Sequence, residues 1–158
     1  SASAYQESNI LAFERGAANF EDRLIGLNLA SSRNIPVTIN IKPILPQIGL
    51  TEYIELIDKS ISITNMFMIG GLYCSEATEF GRSTIEQYRH LVSQRPVEWL
   101  PQRPTWPYIE DPEQMAAITK AIQQRGGIVF RSDRDAMLSI ADRLQRHNYQ
   151  SELALGKV

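Results

Sequence analysis

The sequence predicts an α/β or α+β domain in which four to five helices pack on a small sheet of two to three short strands. Residues 36–42 alternate apolar and polar side chains with a period of two, as in a half-buried strand. In the last third, a helical pattern is followed by Gly126-Gly127, a short apolar run and a second helical pattern. That order is typical of layered helix–sheet folds. Helical patterns cover more of the chain than strand patterns, so we expect helices to dominate.

Size and composition set the outer limits. The chain has 158 residues, of which 43% are hydrophobic and 22% are charged, as expected for one globular domain with a sizeable core. We expect residues 1–8 to be a flexible N-terminus and residues 9–158 to form the domain. The apolar run 66–74 is about half as long as a membrane span, and no secretory signal is visible. We therefore expect no membrane span, with the cytoplasm as the default location.

The first half of the chain predicts one helix, one strand and then two further helical segments. Apolar side chains recur every three or four residues over 9–30, which predicts one amphipathic helix. The strand at 36–42 is closed by proline. Thr51 is a candidate N-cap for the next helix. Residues 60–64 fit either a short strand or more helix, and residues 65–93 are predicted to be helical.

The second half contains a proline-rich segment between two predicted helices. Residues 94–112 hold five prolines and both tryptophans, which predicts an extended, polyproline-like loop. Asp111 caps the next helix and Pro112 takes its first position. That helix ends at Gly126-Gly127. Its predicted buried stripe is Met115, Ile118, Ala121 and Ile122.

The final elements are a short strand over 128–130 and a helix that Ser132 caps. The predicted buried stripe of this last helix is Met137, Ile140, Ala141 and Leu144. Because a lone strand cannot satisfy its backbone groups, the two best strand patterns should belong to one sheet. The side chains predicted to share its core are Val37, Ile39, Ile41, Ile128 and Phe130.

Cys74 and His90 are the residues from which a thiol–imidazole pair could be built. Sixteen residues along one continuous helix would place them about 24 Å apart. The neighbours of Cys74 are largely apolar. We therefore predict a buried thiol without catalytic duty.

The sequence contains no strong metal or phosphate motif. Glu76 and Glu79 would share a helix face, but no Glu-x-x-His partner accompanies them. Asp133 and Asp135 lie at a predicted helix start, where acidic residues are favoured for capping. One cysteine and two histidines do not make a zinc site, and Gly126-Gly127 precedes a strand instead of following one. The sequence thus predicts no catalytic residue, no metal and no cofactor.

The proline-rich segment is the candidate binding surface. Tryptophan, tyrosine and arginine are enriched at interface hot spots, and an extended proline segment loses little entropy when it docks. The alternative is that the segment packs only on its own domain. The predicted partner is another protein or a second copy of the chain. The predicted partner-binding residues are Arg95, Trp99, Arg103, Trp106 and Tyr108.

These observations predict a structural or adaptor subunit of a larger protein assembly. One alternative is a small enzyme or an inhibitor of the immunity-protein type. Another is a nucleic-acid-binding accessory protein that uses the arginine-rich C-terminal helix. The net charge of −2 gives no reason for strong binding to DNA, so nucleic acid is not the partner that we expect. The arginines in question are Arg131, Arg134, Arg143 and Arg146.

Overall fold

The computed structural model describes residues 2–14, 16–97, 100–102 and 104–154, with the side chains of 146–154 left aside. Within these residues the chain forms six α-helices and two sheets of three strands each, with about 49% helix and 16% strand. The predicted fold class, a helix-dominated α+β domain, is confirmed. The strands outnumber those predicted because a second sheet forms between residues 72 and 109.

The bounds of the elements follow chain order. The helices are α1 (Glu7–Phe13), α2 (Phe20–Ser32), α3 (Leu50–Ser60), α4 (Glu79–Gln87), α5 (Pro112–Gln124) and α6 (Asp133–Ala154). The strands are β1 (Ile39–Ile41), β2 (Met66–Ile69), β3 (Leu72–Tyr73), β4 (Val92–Pro96), β5 (Thr105–Ile109) and β6 (Ile128–Phe130).

The first sheet has the order β1-β2-β6, and both strand pairs are parallel. Ile39, Phe67 and Val129 lie side by side across the three strands. All three belong to or pack against the main core, which also contains apolar side chains of α3 and α5. On the opposite face, Met68 and Phe130 pack with Ala136 of α6. The sheet therefore lies between α3 and α5 on one side and α6 on the other.

The prediction that the two best strand patterns share one sheet is confirmed, with β2 lying between them. The prediction that they share one core is wrong. Phe130 packs on the opposite face from Ile39, and Ile128 is 38% exposed. Side chains alternate between faces along a strand, so a shift of one residue in register exchanges the faces.

The predicted helix over 65–93 is wrong, because β2 and β3 occupy its first part and α4 begins only at Glu79. All four residues of β2 are buried, as expected for the central strand of a parallel sheet covered on both faces. Such a continuous apolar run has no period of two, so its sequence pattern does not distinguish it from a buried helix.

The second sheet has the order β3-β5-β4 and is antiparallel. The predicted loop over 94–112 is therefore wrong in part, because its residues 94–96 belong to β4 and its residues 105–109 to β5, and these two strands pair. Proline has no backbone N–H, so within a sheet it is tolerated at positions where only its carbonyl takes part in a hydrogen bond. The carbonyl of Pro107 accepts from Cys74 N at 2.9 Å, and that of Pro104 accepts from Val97 N at 2.8 Å.

The segment predicted to be flexible, residues 1–8, packs on the domain at residues 2–5, whereas residues 6–8 are exposed. Ala2 and Ala4 are buried, and Ala2 N donates to Asn40 O at 2.8 Å beside β1. The prediction of one helix over 9–30 is wrong. Gly16 has φ of +80°, a left-handed conformation that does not continue a helix, and it lies between α1 and α2. Asn19 then caps α2, because its side chain accepts a hydrogen bond from Asp22 N.

In the last third of the chain, the predicted helix starts and most of the predicted buried residues are confirmed. Asp111 accepts from the amides of Glu113 and Gln114 at the start of α5, with Pro112 at its first position. The four predicted core residues of α5 are buried, and Ser132 accepts from Asp135 N at 3.1 Å. In α6, however, Ala136 is buried and Ile140 partly buried. The stripe residues Met137, Ala141 and Leu144 are exposed.

Among the described residues, no helix combines the length and the apolarity that a membrane crossing requires.

Candidate functional site

A crevice of about 590 Å³ opens at the carboxyl ends of β1, β2 and β6, where the first sheet meets the second. In open sheets of parallel strands, ligands bind in the crevice outside these strand ends. The loops after the strands, the start of α6 and one face of the second sheet provide its walls. The lining residues are Lys42, Pro43, Gly70, Gly71, Leu72, Tyr73, Arg95, Tyr108, Arg131, Ser132, Asp133 and Arg134.

Positive charge predominates in this crevice. Lys42 directly follows β1, Arg131 directly follows β6, and Arg134 lies in the first turn of α6. Arg95 of β4 supplies a fourth cation to the lining. Asp133 is the carboxylate in that lining, and its Oδ1 lies 3.7 Å from Lys42 Nζ. The parallel strands thus bring together cations that lie far apart in the sequence.

Glu110, the residue after β5, holds two of these cations. Its side chain is 15% exposed. Arg95 donates to its Oε1 at 3.3 Å, and Arg131 donates to its Oε2. A single carboxylate therefore orients two guanidinium groups at the edge of the crevice and neutralises one of their charges.

Tyr108 lies beneath this arginine pair. Its ring is 4.1 Å from Arg95 Cζ, a cation–π contact. Its hydroxyl accepts from Gly71 N at 2.5 Å and donates to Glu110 Oε2 at 3.0 Å. Burial raises the pKa of Tyr108, with the charge of Glu110 acting in the same direction and the Gly71 donor opposing it. The phenol is therefore a neutral hydrogen-bond donor at physiological pH.

Two glycines at the end of β2 allow the walls to approach each other. A Cβ at Gly70 would lie 3.0 Å from Lys42 Cε, because the lysine stem crosses the strand end there. A Cβ at Gly71 would lie only 2.2 Å from the carbonyl oxygen of Ile109. A side chain at Gly71 would push apart the elements that enclose the crevice, whereas a side chain at Gly70 would displace only the Lys42 stem.

The N-terminal end of α6 adds to the positive potential. The unpaired amides of a first helical turn carry partial positive charge, which favours anions. Ser132 and Asp133, at this end of the helix, both line the crevice. Together with the side-chain cations, the helix end makes the crevice a place where an anion is stabilised.

The structure places the predicted partner-binding residues in different environments. Arg95 and Tyr108 line the crevice, and Tyr108 is buried, which does not fit a residue displayed for a protein partner. Trp106 is half-buried on β5. Trp99 and Arg103 lie outside the described residues.

Sequence reasoning missed Lys42, Glu110 and the crevice role of Arg131 and Arg134. The available signal was a charged residue directly after each of two strands, Lys42 after β1 and Arg131 after β6. It could not be used because β2, which separates these strands, was predicted as a helix.

Cys74 is 2% exposed, and burial raises the pKa of its thiol, so the predicted burial is confirmed. Its lack of catalytic duty stays a prediction. Glu76 precedes α4 and Glu79 begins it, so these two carboxylates do not share a helix face. In the part of the chain that the structure describes, no group of three or more histidine, cysteine or acidic side chains could hold a metal ion.

Comparison of the chain with models of protein families, with curated proteins and with solved structures finds no match.

Proposed function

We propose that this domain binds a small anionic molecule in the crevice at the carboxyl ends of β1, β2 and β6. One observation carries the proposal: Lys42, Arg131 and Arg134 converge there from separate elements. Like charges held close together repel one another, so their convergence is best stabilised when an anion binds between them.

The distribution of counter-charges supports a site for an incoming ligand. Glu110 is shared by Arg95 and Arg131, and Asp133 lies near Lys42. Arg134 has no ion pair among the described residues. Among the residues that the structure describes, four cations and two carboxylates give the crevice a net charge of about +2. A ligand with one or two negative charges would complete the balance.

The shape supports a small molecule over a polymer. Pockets of roughly 300–1,000 Å³ are typical of small-molecule sites, and this crevice has about 590 Å³. The C-terminal arginines do not form one strip for nucleic acid among the described side chains. Arg131 and Arg134 line the crevice, whereas Arg143 donates to Asn65 Oδ1 at 3.1 Å.

Isothermal titration calorimetry with inorganic phosphate tests the proposal. Arg134→Gln removes one charge from the crevice and should weaken phosphate binding about tenfold or more, since charge-assisted hydrogen bonds are worth about 1.5–3 kcal/mol. Arg33→Gln is the matched control, because Arg33 is exposed at the end of α2 and does not line the crevice. Equal affinity in the two variants, or no binding by the parent protein, would contradict the proposal.

We also propose that the domain self-associates through α6, which keeps the role as an assembly subunit as a second candidate. Met137, Ala141 and Leu144 are spaced by four and three residues and so share one helix face. Met137 is 65% exposed and Leu144 is 45% exposed.

Light scattering coupled to size-exclusion chromatography tests this second role. The dimer predicts twice the chain mass at high protein concentration and a return to the monomer mass in Met137→Glu. Glu55→Gln, an exposed change on α3, should leave the mass unchanged. A monomer at every concentration would count against self-association.

A further inference from the structure

We infer that Glu110 is a positioning residue for the anion site and that its carboxylate holds Arg95 and Arg131 as a pair that binds one oxyanion, such as phosphate. This inference rests on the proposed anion-binding function. The ligand class is then an oxyanion that accepts hydrogen bonds from two guanidinium groups at once. A negatively charged residue would in this way increase the affinity of the crevice for an anion.

The contacts of Glu110 place the two guanidinium groups next to each other. Arg95 Nη2 donates to Glu110 Oε1 at 3.3 Å, and Arg131 Nη2 donates to Oε2 of the same carboxylate. One small oxyanion, the carboxylate itself, therefore already accepts from both arginines. A second oxyanion of similar size, bound from the crevice, can accept from the same two groups.

Both arginines keep donors for such a ligand. A guanidinium group has five N–H groups, and among the described residues each of these arginines donates one of them, to Glu110. The side chains of Arg95 and Arg131 are 43% and 45% exposed, whereas that of Glu110 is 15% exposed. Since both arginines line the crevice, the N–H groups that Glu110 leaves unused are available to a ligand there.

Further contacts restrict the movement of this pair. The Arg95 guanidinium lies over the Tyr108 ring, with Cζ 4.1 Å from the ring centroid. The Tyr108 hydroxyl in turn donates to Glu110 Oε2 at 3.0 Å. An arginine that is already ordered loses less conformational entropy when it binds a ligand. Without the carboxylate, the ligand itself would have to order both side chains.

Isothermal titration calorimetry with inorganic phosphate, on the full chain at constant ionic strength, tests the inference through Glu110→Gln. A glutamine amide has one oxygen and no charge, so it cannot accept from both arginines as the carboxylate does. We expect phosphate affinity to fall about tenfold, because two flexible side chains are then ordered only on binding. Charge alone predicts the opposite result, since the net charge of the crevice becomes more positive.

Asp133→Asn is the matched control, because it removes the same charge from a carboxylate that holds no arginine among the described residues. The Asp133 side chain lines the crevice, is 80% exposed and lies 3.7 Å from Lys42 Nζ. An exposed pair of this kind orders its partner only weakly, so this variant should bind phosphate more tightly than the parent. If the two variants change the affinity in the same direction and by similar factors, the positioning role is wrong.

A double-mutant cycle distinguishes positioning from general damage to the fold. If Glu110 acts through the arginines, Glu110→Gln should cost less phosphate affinity in an Arg131→Gln background than in the parent. The same fold-loss in both backgrounds would mean that the substitution disturbs the site as a whole, and it would overturn the inference.

Arg95→Lys tests the arginine pair even if the Glu110→Gln protein does not fold. Lysine keeps the charge but lacks the planar fork of N–H groups, so phosphate affinity should fall severalfold at an unchanged net charge. Unchanged affinity would contradict the pair while the anion site stands. If the parent protein binds no phosphate, the proposed function and the inference are both wrong.

Discussion

Tyr108 donates a hydrogen bond to Glu110 Oε2 at 3.0 Å, and these two side chains together link the second sheet to the residues that follow β2 and β6. The same hydroxyl accepts from Gly71 N after β2, while Glu110 holds Arg95 and Arg131. The end of the central parallel strand, the second sheet and the arginines are thus joined in one network. Gly71, Tyr108 and Arg131 all line the crevice, so this network runs along its wall.

Tyr108→Phe removes the hydroxyl and leaves the Gly71 amide without its acceptor, while Glu110 Oε2 keeps the hydrogen bond from Arg131. We expect the free energy of unfolding to fall by about 1–3 kcal/mol, the cost of unsatisfied buried polar groups. Urea denaturation measures it. Tyr88→Phe is the control, because the Tyr88 hydroxyl accepts only a surface contact from Gln87. Equal stability of the two variants would show that the network contributes nothing.

Gly71→Ala places a Cβ 2.2 Å from the carbonyl oxygen of Ile109, a backbone atom that cannot rotate away. We expect a loss of several kcal/mol or failure to fold. Gly26→Ala has nothing within 4 Å of the new Cβ, lies inside α2 and should stabilise by about 0.5–1 kcal/mol. Thermal melts compare the two. A Gly71→Ala protein as stable as the parent would contradict the close approach of the sheets.

Glu52 fastens the N-terminal segment to α3. Its buried carboxylate accepts from Tyr5 N at 2.7 Å, Gln6 N at 2.8 Å and Asn9 Nδ2 at 2.6 Å. Glu52→Ala should release this segment, with faster amide hydrogen exchange over residues 2–13. Glu55→Ala, exposed on the same helix, should not change the exchange. Slow exchange in both variants would show that other contacts hold the segment.

Asp58 and Arg125 give stability a weak dependence on pH. Arg125 donates two hydrogen bonds to Asp58, which lowers the pKa of the carboxyl. A lowered folded-state pKa means stability that is present above the ordinary value near 3.9 and lost as pH falls through the folded value. Both side chains are partly exposed, so solvent limits the coupling to below about 1 kcal/mol. A double-mutant cycle with Asp58→Asn and Arg125→Gln should show this coupling at pH 7. At pH 2 the coupling should be smaller, and coupling that grows on acidification would contradict the pair.

The sequence predicted the last third because its signals are local. Asp111 and Pro112 define a helix start by their own chemistry, and Gly126, with φ of +78°, supplies the left-handed residue that follows the helix. The middle of the chain depends on distant partners. β2 is a strand because β1 and β6 flank it and side chains cover both of its faces. β4 and β5 pair in a register that cannot be read from any single residue of either strand.

The crevice could not be predicted for the same reason. Lys42 and Arg131 are 89 positions apart in the chain, and only the order β1-β2-β6 places both at one sheet edge. Once β2 is assigned as a strand, the charged residues after β1 and β6 identify that edge. Glu110 and Tyr108 would still be missed, because their roles come from the second sheet.

The most direct test of the anion site is an NMR titration of the ¹⁵N-labelled chain with inorganic phosphate at constant ionic strength. If the crevice binds phosphate, the amides of Gly70, Gly71 and Ser132 should show saturable shifts with one dissociation constant. The amides of Gly26 and Gly126, which do not line the crevice, should stay in place. Shifts that do not saturate, or that spread over exposed lysines and arginines without involving Gly70, Gly71 and Ser132, would contradict it.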